Sequence, residues 1–206
     1  MPDLSPSKIV CVGRNYAAHA KELGNEVPKQ PLLFLKPPSS LVRTGESIRL
    51  PTVSDRVEYE GEIGVVIGRR LRAASTEEAR AGIAHLCAAN DVTARDLQKS
   101  DVQFTRAKGF DTFCPVGELG PVPDDLARLR IRTLVNGEVR QDGRASDMVF
   151  DIPALLCYIS GVMTLEPGDL VLTGTPEGVG TLAPGDVVEV EIAGVSRVSN
   201  PVTRAS

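Results

Sequence analysis

Aromatic side chains are scarce in this chain, and basic residues are not in excess. Its 206 residues include no tryptophan, and aromatic residues make up only 4% of the sequence. Lysine and arginine number 23 against 27 acidic residues, so the formal net charge is −4 at pH 7. Nucleic-acid-binding domains usually carry a basic surface, and many stack bases on aromatic rings. The composition therefore argues against a nucleic-acid partner and against an aromatic platform for carbohydrates.

Cysteine and histidine are too few for a zinc-finger type of site. The chain has two histidines, and its four cysteines form no Cys-x-x-Cys pair. The cysteines lie in apolar runs, which predicts buried free thiols in a reducing compartment. They are Cys11, Cys87, Cys114 and Cys157.

Long apolar runs and targeting signals are also absent from the sequence. No apolar run approaches the roughly 20 residues that a membrane-spanning helix requires. The first residues, MPDLSPSKIVCVG, lack a charged region followed by an apolar one, so no secretory signal peptide is predicted. We therefore expect a cytoplasmic protein without a membrane partner.

Turn-forming residues are abundant, with 19 glycines and 15 prolines. This composition favours many turns and short strands over long helices. Asn136-Gly137, flanked by strand candidates at 131–135 and 139–141, is a strong hairpin signal. The length fits one domain, and the 42% hydrophobic residues suffice for a sizeable core. We predict a single β-rich α+β domain over residues 1–206.

Three segments are predicted to be helical. Ser75 and Glu78 form a capping-box pattern at the start of 75–89, where apolar residues recur at helical spacing. Asp151 is placed to cap a helix that runs to about residue 162, with a proline in its first turn. A shorter helix is expected over 15–23.

An acidic, otherwise apolar segment at 57–67 is the most informative strand candidate. The alternation of a strand places Glu58, Glu60 and Glu62 on one face, with same-face neighbours about 7 Å apart. Carboxylates at that separation can converge on a hard divalent cation such as Mg²⁺. The alternative is a solvated acidic face of an amphipathic sheet.

Asp91 is a second acidic candidate, because it directly follows the apolar run LCAA. A carboxylate at the end of a buried segment is well placed to act as a metal ligand. The alternative role for Asp91 is the N-cap of a helix that begins near Thr93.

His19 and Glu22 are three residues apart, which on a helix places the carboxylate beside the ring. Such a pair can orient water and remove its proton near neutral pH. The alternative is an ordinary surface pair. His85, the other histidine, falls within the predicted helix 75–89 and is expected to be structural or exposed.

Lysines in apolar surroundings and a glycine-rich loop complete the candidates. Lys36 and Lys108 are flanked by apolar residues; each either extends to solvent or neutralises an anionic substrate. The loop Thr173–Gly180 lacks the Gly-Lys-Ser/Thr ending of a phosphate-binding P-loop. It is either a plain turn or a backbone cradle for a carboxylate.

These motifs together resemble the fumarylacetoacetate hydrolase family, in its short form similar to acylpyruvases and oxaloacetate decarboxylases. They follow the family's order from about residue 8 to 190, nearly the whole chain. The matching stretches are CVGRNYAAH, LLFLKP, YEGEIGVVIG, NDVTARDLQ, AKGFDTFCPVG, the VNGEVRQ hairpin and LTGTPEGVG.

The resemblance implies a mixed β-sheet roll of the family's C-terminal-domain type, typically a homodimer. It implies that Glu60, Glu62 and Asp91 bind one Mg²⁺ or Mn²⁺, with Glu58 outside this ligand set. It also implies that His19 and Glu22 activate water. The residues it places at the substrate's carboxylate and oxo groups are Arg14, Gln98, Lys108 and Thr175, with Lys108 also in a catalytic role.

The implied chemistry is formation of a pyruvate enolate from a 2-oxo or diketo acid. The leading hypothesis is a metal-dependent hydrolase that cleaves a C–C bond in acylpyruvates. The alternatives are an oxaloacetate decarboxylase or tautomerase, and an isomerase or decarboxylase of aromatic catabolism. A non-catalytic binding module is disfavoured, because it would not require His19 and Glu22. The short segment between Gln98 and Lys108 predicts a reduced lid.

Overall fold

The computed structural model describes residues 4–205, which form short strands and a few helices. The strands are β1 Ile9–Gly13, β2 Leu32–Lys36, β3 Leu41–Arg43, β4 Ile48–Leu50, β5 Val57–Tyr59, β6 Gly61–Ile67, β7 Ile83–Asn90, β8 Thr93–Ala94, β9 Cys114–Val116, β10 Arg130–Val135, β11 Glu138–Arg144, β12 Leu170–Leu172, β13 Gly180–Thr181, β14 Val187–Ile192 and β15 Ser196–Arg204. The α-helices are α1 Ala17–Glu22, α2 Thr76–Ala81, α3 Arg95–Ser100, α4 Thr105–Lys108 and α5 Ile152–Val162.

Three sheets organise these strands. The largest has the order β2-β1-β12-β6-β7-β9-β3, the second β11-β10-β14-β15-β4, and the smallest β13-β5-β8. Parallel pairs such as β1 with β12 lie beside antiparallel pairs such as β6 with β7, so the largest sheet is mixed. The predicted β-rich α+β class and mixed-sheet roll are confirmed. The extent of one domain over residues 1–206 stays a prediction.

The main core lies between the two larger sheets and α5. Ile63 and Leu86 of the seven-stranded sheet share one buried cluster with Ile131 of the five-stranded sheet and Leu155 of α5. Val66, beside Val65 on β6, belongs instead to a second cluster on the opposite face. Both faces of β6 are therefore buried, which accounts for its nearly continuous apolar sequence.

Two local signals are confirmed. Asp151 Oδ1 accepts a hydrogen bond of 2.8 Å from Ala154 N, and α5 runs to Val162. Asn136 and Gly137 have φ angles of 53° and 81° and connect β10 to β11. Positive φ at both residues is the geometry of a type I′ turn, which suits the twist of a two-stranded hairpin.

The helix predicted over 75–89 is wrong beyond its first turns. The capping box is present, since Ser75 Oγ accepts from Glu78 N at 3.2 Å and Glu78 Oε2 from Ser75 N at 2.8 Å. The helix ends at Ala81, however, and β7 follows. The inner part of β7 is buried on both faces, so its apolar run has no alternation to distinguish it from a helix. His85 accordingly lies on a strand, opposite Val66.

The single strand predicted over 57–67 is also wrong, because the strand is interrupted at Glu60. The segment before the break, β5, joins the small sheet, and β6 joins the large one. Side-chain amides satisfy the backbone at this point: Glu60 N donates to Asn90 Oδ1 and Gly61 N to Gln141 Oε1, both at 2.9 Å. Hydrogen bonds to side chains remote in the chain therefore replace the continuous strand-to-strand hydrogen bonds that the local pattern implied.

The cysteines agree with the prediction of free thiols. All four are unpaired; Cys11, Cys87 and Cys114 are buried, whereas Cys157 is half-buried. Burial raises the pKa of the Cys114 thiol to about 12, so it is not a reactive thiolate at neutral pH. Within residues 4–205, no helix is long and apolar enough to cross a membrane. The cytoplasmic location stays a prediction.

Asp169, just before β12, fastens the amino-terminal segment to the large sheet. Its carboxylate accepts from Ser7 Oγ at 2.6 Å and Glu166 N at 2.8 Å, and also pairs with Lys8 Nζ. Burial alone would raise the pKa of Asp169, but the hydrogen bonds from Lys8 and Ser7 hold that pKa below its usual range.

We expect Asp169→Asn to lower the free energy of unfolding at pH 7 by about 1–3 kcal/mol. A carboxylate with a depressed pKa stabilises the fold above its unfolded pKa of about 3.9, and this contribution is lost as pH falls through the lower folded value. The difference between parent and variant should therefore shrink below about pH 4. Urea unfolding at several pH values measures it, and a difference independent of pH would contradict the assignment.

Candidate active site

One cavity of about 440 Å³ brings the predicted site residues together. They reach it from α1, the β5–β6 junction, the end of β7, α3, α4 and the loops after β1 and β12. All nine line it, namely Arg14, His19, Glu22, Glu60, Glu62, Asp91, Gln98, Lys108 and Thr175.

Three buried carboxylates form the floor of the cavity. One carboxylate oxygen each from Glu60, Glu62 and Asp91 lies within 4.8 Å of the others. They converge because β6 starts where antiparallel β7 ends, with Gly61 opposite Asn90. The solvated acidic face considered for this segment is therefore wrong. The capping role considered for Asp91 is also wrong, since α3 begins at Arg95 with Ala94 as its N-cap.

Two buried lysines flank Asp91. Lys108 Nζ donates to Asp91 Oδ2 at 2.5 Å, to Glu60 Oε2 at 2.9 Å and to Thr93 Oγ1 at 2.7 Å. Lys36 Nζ donates to Asp91 Oδ1 at 2.7 Å. Both lysines are almost completely buried, so neither extends to solvent.

Arg95 joins the carboxylate cluster to Glu58. Its Nε donates to Glu58 Oε2 at 2.7 Å, its Nη2 to Glu60 Oε1, and its Nη1 to Gln98 Oε1 at 2.5 Å. Glu58 is 1% exposed and also accepts from Arg56 Nε at 2.6 Å. It therefore holds a buried arginine against the cluster and is not an exposed side chain.

The cluster's cations are unevenly distributed. Burial would raise the pKa of Glu60, but Lys108 and Arg95 outweigh it and hold that pKa below its usual range. Burial raises the pKa of Glu62 well above its usual range, and the carboxylates of Asp91 and Glu60 raise it further. Within the described residues Glu62 has no ion pair; Gly174 N donates to it at 2.6 Å.

This donor set fits a hard divalent cation. All three candidate ligands are carboxylates, and Mg²⁺ and Mn²⁺ prefer such oxygen ligands. Glu62 supplies the structural observation, because it is buried beside two other carboxylates and forms no ion pair with a cation of residues 4–205. A bound cation would relieve this repulsion.

His19 and Glu22 form the expected pair on α1. His19 Nδ1 lies 3.3 Å from Glu22 Oε2, and Glu22 accepts from Gly178 N at 3.0 and 3.2 Å. Because a carboxylate only accepts, the contact places the proton on Nδ1 and leaves the Nε2 lone pair available. His19 is only 4% exposed, whereas the Glu22 side chain is 33% exposed, so only the imidazole of this pair is buried.

The glycine-rich loop is a carboxylate cradle, although for the protein's own side chains. Gly174 N binds Glu62, and Gly178 N binds Glu22. Both glycines have positive φ, 99° and 96°, which turns their amides towards these groups. The loop leads into β13 and not into a helix, as expected for a loop that is not a P-loop.

The remaining walls combine a cation with an aromatic pair. Arg14 is half-buried with φ of 58°, an uncommon conformation for a non-glycine residue. Its guanidinium makes no hydrogen bond or ion pair with residues 4–205. Phe34 and Phe104 pack edge to face with ring centroids 5.6 Å apart, and Lys108 Nζ lies 4.9 Å from the Phe34 centroid.

The family model for the fumarylacetoacetate (FAA) hydrolase C-terminal region matches residues 8–203. The chain belongs to the fumarylacetoacetate hydrolase family. This confirms the resemblance seen in the motifs, and the chain is accordingly a member of an enzyme family.

Relatives within the family carry more specific names. A mitochondrial oxaloacetate tautomerase of Arabidopsis thaliana is 46% identical over 204 residues, covering 96% of this chain and 92% of that protein. A mitochondrial oxaloacetate decarboxylase of Dictyostelium discoideum is 44% identical over 195 residues, covering 91% and 89%. The crystal structure of 5-carboxymethyl-2-hydroxymuconate delta-isomerase from Mycobacterium smegmatis superposes with a TM-score of 0.91 at 44% identity, covering 98% of this chain and 81% of that one.

Sequence reasoning did not select every residue of this fumarylacetoacetate hydrolase family site. Arg95 was missed, although it precedes Gln98 by three residues and so shares its helix face. Lys36 was noted for its apolar neighbours but not assigned to the site. Gln141 was recognised only as part of the hairpin motif, because nothing local shows that it binds Gly61.

Proposed function

We propose that the protein is a Mg²⁺- or Mn²⁺-dependent enzyme that acts on a 2-oxo dicarboxylic acid, with oxaloacetate as the favoured substrate. The proposal rests on one arrangement, the His19–Glu22 pair facing three buried carboxylates in one cavity. The relatives named for oxaloacetate support this substrate over the acylpyruvates that the motifs first suggested.

Glu60, Glu62 and Asp91 would hold the cation. Bound there, it would supply positive charge for the carboxylate and 2-oxo oxygens of the substrate. Lys108 adds a fixed positive charge: although burial opposes it, Asp91 and Glu60 raise the pKa of Lys108 above its usual range. Lys108 directs its N–H donors at Asp91, Glu60 and Thr93.

His19 exchanges the proton in this proposal. Its Nε2 removes a proton from C3 of oxaloacetate, and delivery of that proton to the 2-oxo oxygen gives the enol. The reverse transfer restores the keto form. Glu22 accepts from Nδ1, keeps the ring oriented and stabilises the imidazolium. Gly178 N in turn holds Glu22 in place.

Arg14 favours a second carboxylate on the substrate. Arg14 lines the cavity, and its guanidinium forms no ion pair with residues 4–205. A bidentate guanidinium–carboxylate contact is a strong, oriented interaction, so a dicarboxylate gains from it and a neutral acyl chain does not.

Acylpyruvate hydrolysis is the second candidate, favoured by the Phe34–Phe104 pair. An apolar wall suits a neutral acyl tail, and the same His19–Glu22 pair would then activate water for attack on the distal carbonyl. The two candidates share the pyruvate portion of the substrate and differ at its far end.

Oxaloacetate and acetylpyruvate should be tested side by side with Mg²⁺, Mn²⁺ and a chelator control. We expect chelator-sensitive acceleration of the oxaloacetate keto–enol exchange. The loss of enol absorbance monitors this exchange, and pyruvate release is measured separately. Cleavage of acetylpyruvate alone would favour the second candidate, and turnover unaffected by the chelator would contradict the metal assignment.

Light scattering tests the homodimer that the family resemblance implies.

A further inference from the structure

Gln141 is buried on β11, 1% exposed, between the carboxylate cluster and the glycine-rich loop. Its Oε1 accepts from Gly61 N at 2.9 Å. Its Nε2 donates to Thr175 Oγ1 and to Pro176 O, both at 2.8 Å. One side chain thus connects Gly61, which lies between Glu60 and Glu62, to Thr175, which also lines the cavity.

The chemistry of these partners fixes the orientation of the amide. A backbone N–H only donates, so Gly61 must face Oε1. A backbone carbonyl only accepts, so Pro176 must face Nε2. In the reversed amide, Nε2 would face the Gly61 N–H, donor against donor, and Oε1 would face Pro176 O, acceptor against acceptor. Thr175 Oγ1 therefore accepts an N–H from Gln141.

This bond determines what the Thr175 hydroxyl can do. With Oγ1 accepting from Nε2, the hydroxyl hydrogen must point elsewhere, and residues 4–205 offer it no acceptor. Thr175 is 2% exposed and lines the cavity. Its hydrogen is therefore available to an anionic oxygen inside the cavity.

Close backbone packing keeps the loop in this place. A Cβ added to Gly143 would lie 2.7 Å from Pro176 Cβ, and one added to Gly178 would lie 2.2 Å from Arg140 O. The loop therefore lies directly against β11 on both sides of Gln141. A Cβ on Gly61 would lie 2.0 Å from Thr133 Oγ1, so the start of β6 packs equally closely against β10.

We propose that Gln141 is a positioning residue that makes the Thr175 hydroxyl a hydrogen-bond donor to a substrate carboxylate. Through Gly61, the first residue of β6, it also fixes this donor relative to the backbone between Glu60 and Glu62. The inference rests on the proposed function, because that function assigns a carboxylate ligand to the cavity.

A double-mutant cycle tests this, with pyruvate as the probe and its dissociation constant measured by saturation-transfer NMR in Mg²⁺. We expect Thr175→Val to weaken pyruvate binding about tenfold, which corresponds to about 1.4 kcal/mol, and Gln141→Met to weaken it similarly. The double variant should bind within about twofold of Thr175→Val, because Gln141 acts through the hydroxyl. Multiplying effects, about a hundredfold in total, would overturn the inference.

Gln141→Glu separates polarity from shape. The carboxylate can still accept from Gly61 N, but it cannot donate to Thr175, so it draws the hydroxyl hydrogen away from the cavity. We expect at least the loss seen with Gln141→Met, and unchanged binding would overturn the inference. Thr175→Ser, which keeps the hydroxyl, should bind within about threefold of the parent.

Asn200→Asp is the matched control, a second buried amide whose Nδ2 donates to Arg43 O and Glu46 O outside the cavity. It should lower Tm yet leave pyruvate affinity within about twofold, and an equal loss of affinity would overturn the specific role of Gln141.

Oxaloacetate turnover by the parent is measured separately. Pyruvate binding without turnover refutes only the proposed function, whereas no pyruvate binding by the parent overturns this inference.

Discussion

His19→Ala is expected to reduce kcat for oxaloacetate by about 10²–10⁴-fold, the usual contribution of a positioned general acid–base group. The substitution removes Nε2, the atom proposed to exchange the substrate proton. It leaves Glu60, Glu62 and Asp91 in place, so Mn²⁺ affinity measured by calorimetry should stay within a few-fold of the parent. Initial rates with saturating Mg²⁺ measure the kinetic effect.

His85→Ala provides the matched control for His19→Ala. His85 is the chain's other histidine, half-buried on β7 and not among the residues lining the cavity. Its removal should change kcat by less than about twofold. Equal turnover in the His19 and His85 variants would remove His19 from the mechanism, and loss of Mn²⁺ binding in His19→Ala would show that it supports the metal site instead.

Asp91→Asn is expected to destabilise the metal-free protein by about 3–5 kcal/mol, the usual cost of breaking a buried ion pair. Lys36 and Lys108 both donate to this carboxylate, and neither reaches solvent. The amide still accepts hydrogen bonds but no longer neutralises either charge. Urea unfolding in the presence of a chelator measures the change, and Tm should fall by roughly 10 °C.

Glu62→Gln is the matched comparison and should act in the opposite direction. Burial and two neighbouring carboxylates raise the pKa of Glu62, so an amide relieves repulsion and leaves the metal-free protein at least as stable as the parent. Both variants should lose most of the rise in Tm that Mn²⁺ produces in the parent. Equal destabilisation by the two substitutions would contradict this charge distribution.

The candidate site was largely predictable because its chemistry is encoded in residue types and short spacings. Glu60 and Glu62, and likewise His19 and Glu22, are close enough in the chain for local geometry to suggest a role. The resemblance to the fumarylacetoacetate hydrolase family then chose between each role and its alternative. The structure places all nine residues in one cavity, and their individual roles stay predictions.

The errors in the fold arose where distant partners override local pattern. The run 83–90 fits helical spacing, but pairing with β6 makes it a strand. The alternation over 57–67 fits one strand, but hydrogen bonds from Glu60 N and Gly61 N to Asn90 and Gln141 hold the backbone at a break. The local patterns at 57–67 and 83–90 do not identify these distant partners.

Local structures and the supply of candidate ligands follow directly from the order of residues along the chain. The Ser75 capping box, the Asn136-Gly137 turn and the carboxylates of Glu60 and Glu62 all depend on residues a few positions apart. The ion pairs and long-range hydrogen bonds of the site depend on the folded arrangement, because Lys36 meets Asp91 across 55 residues and Gln141 meets Gly61 across 80. Burial at these contacts strengthens the electrostatic interactions, and this burial depends on how the three sheets pack.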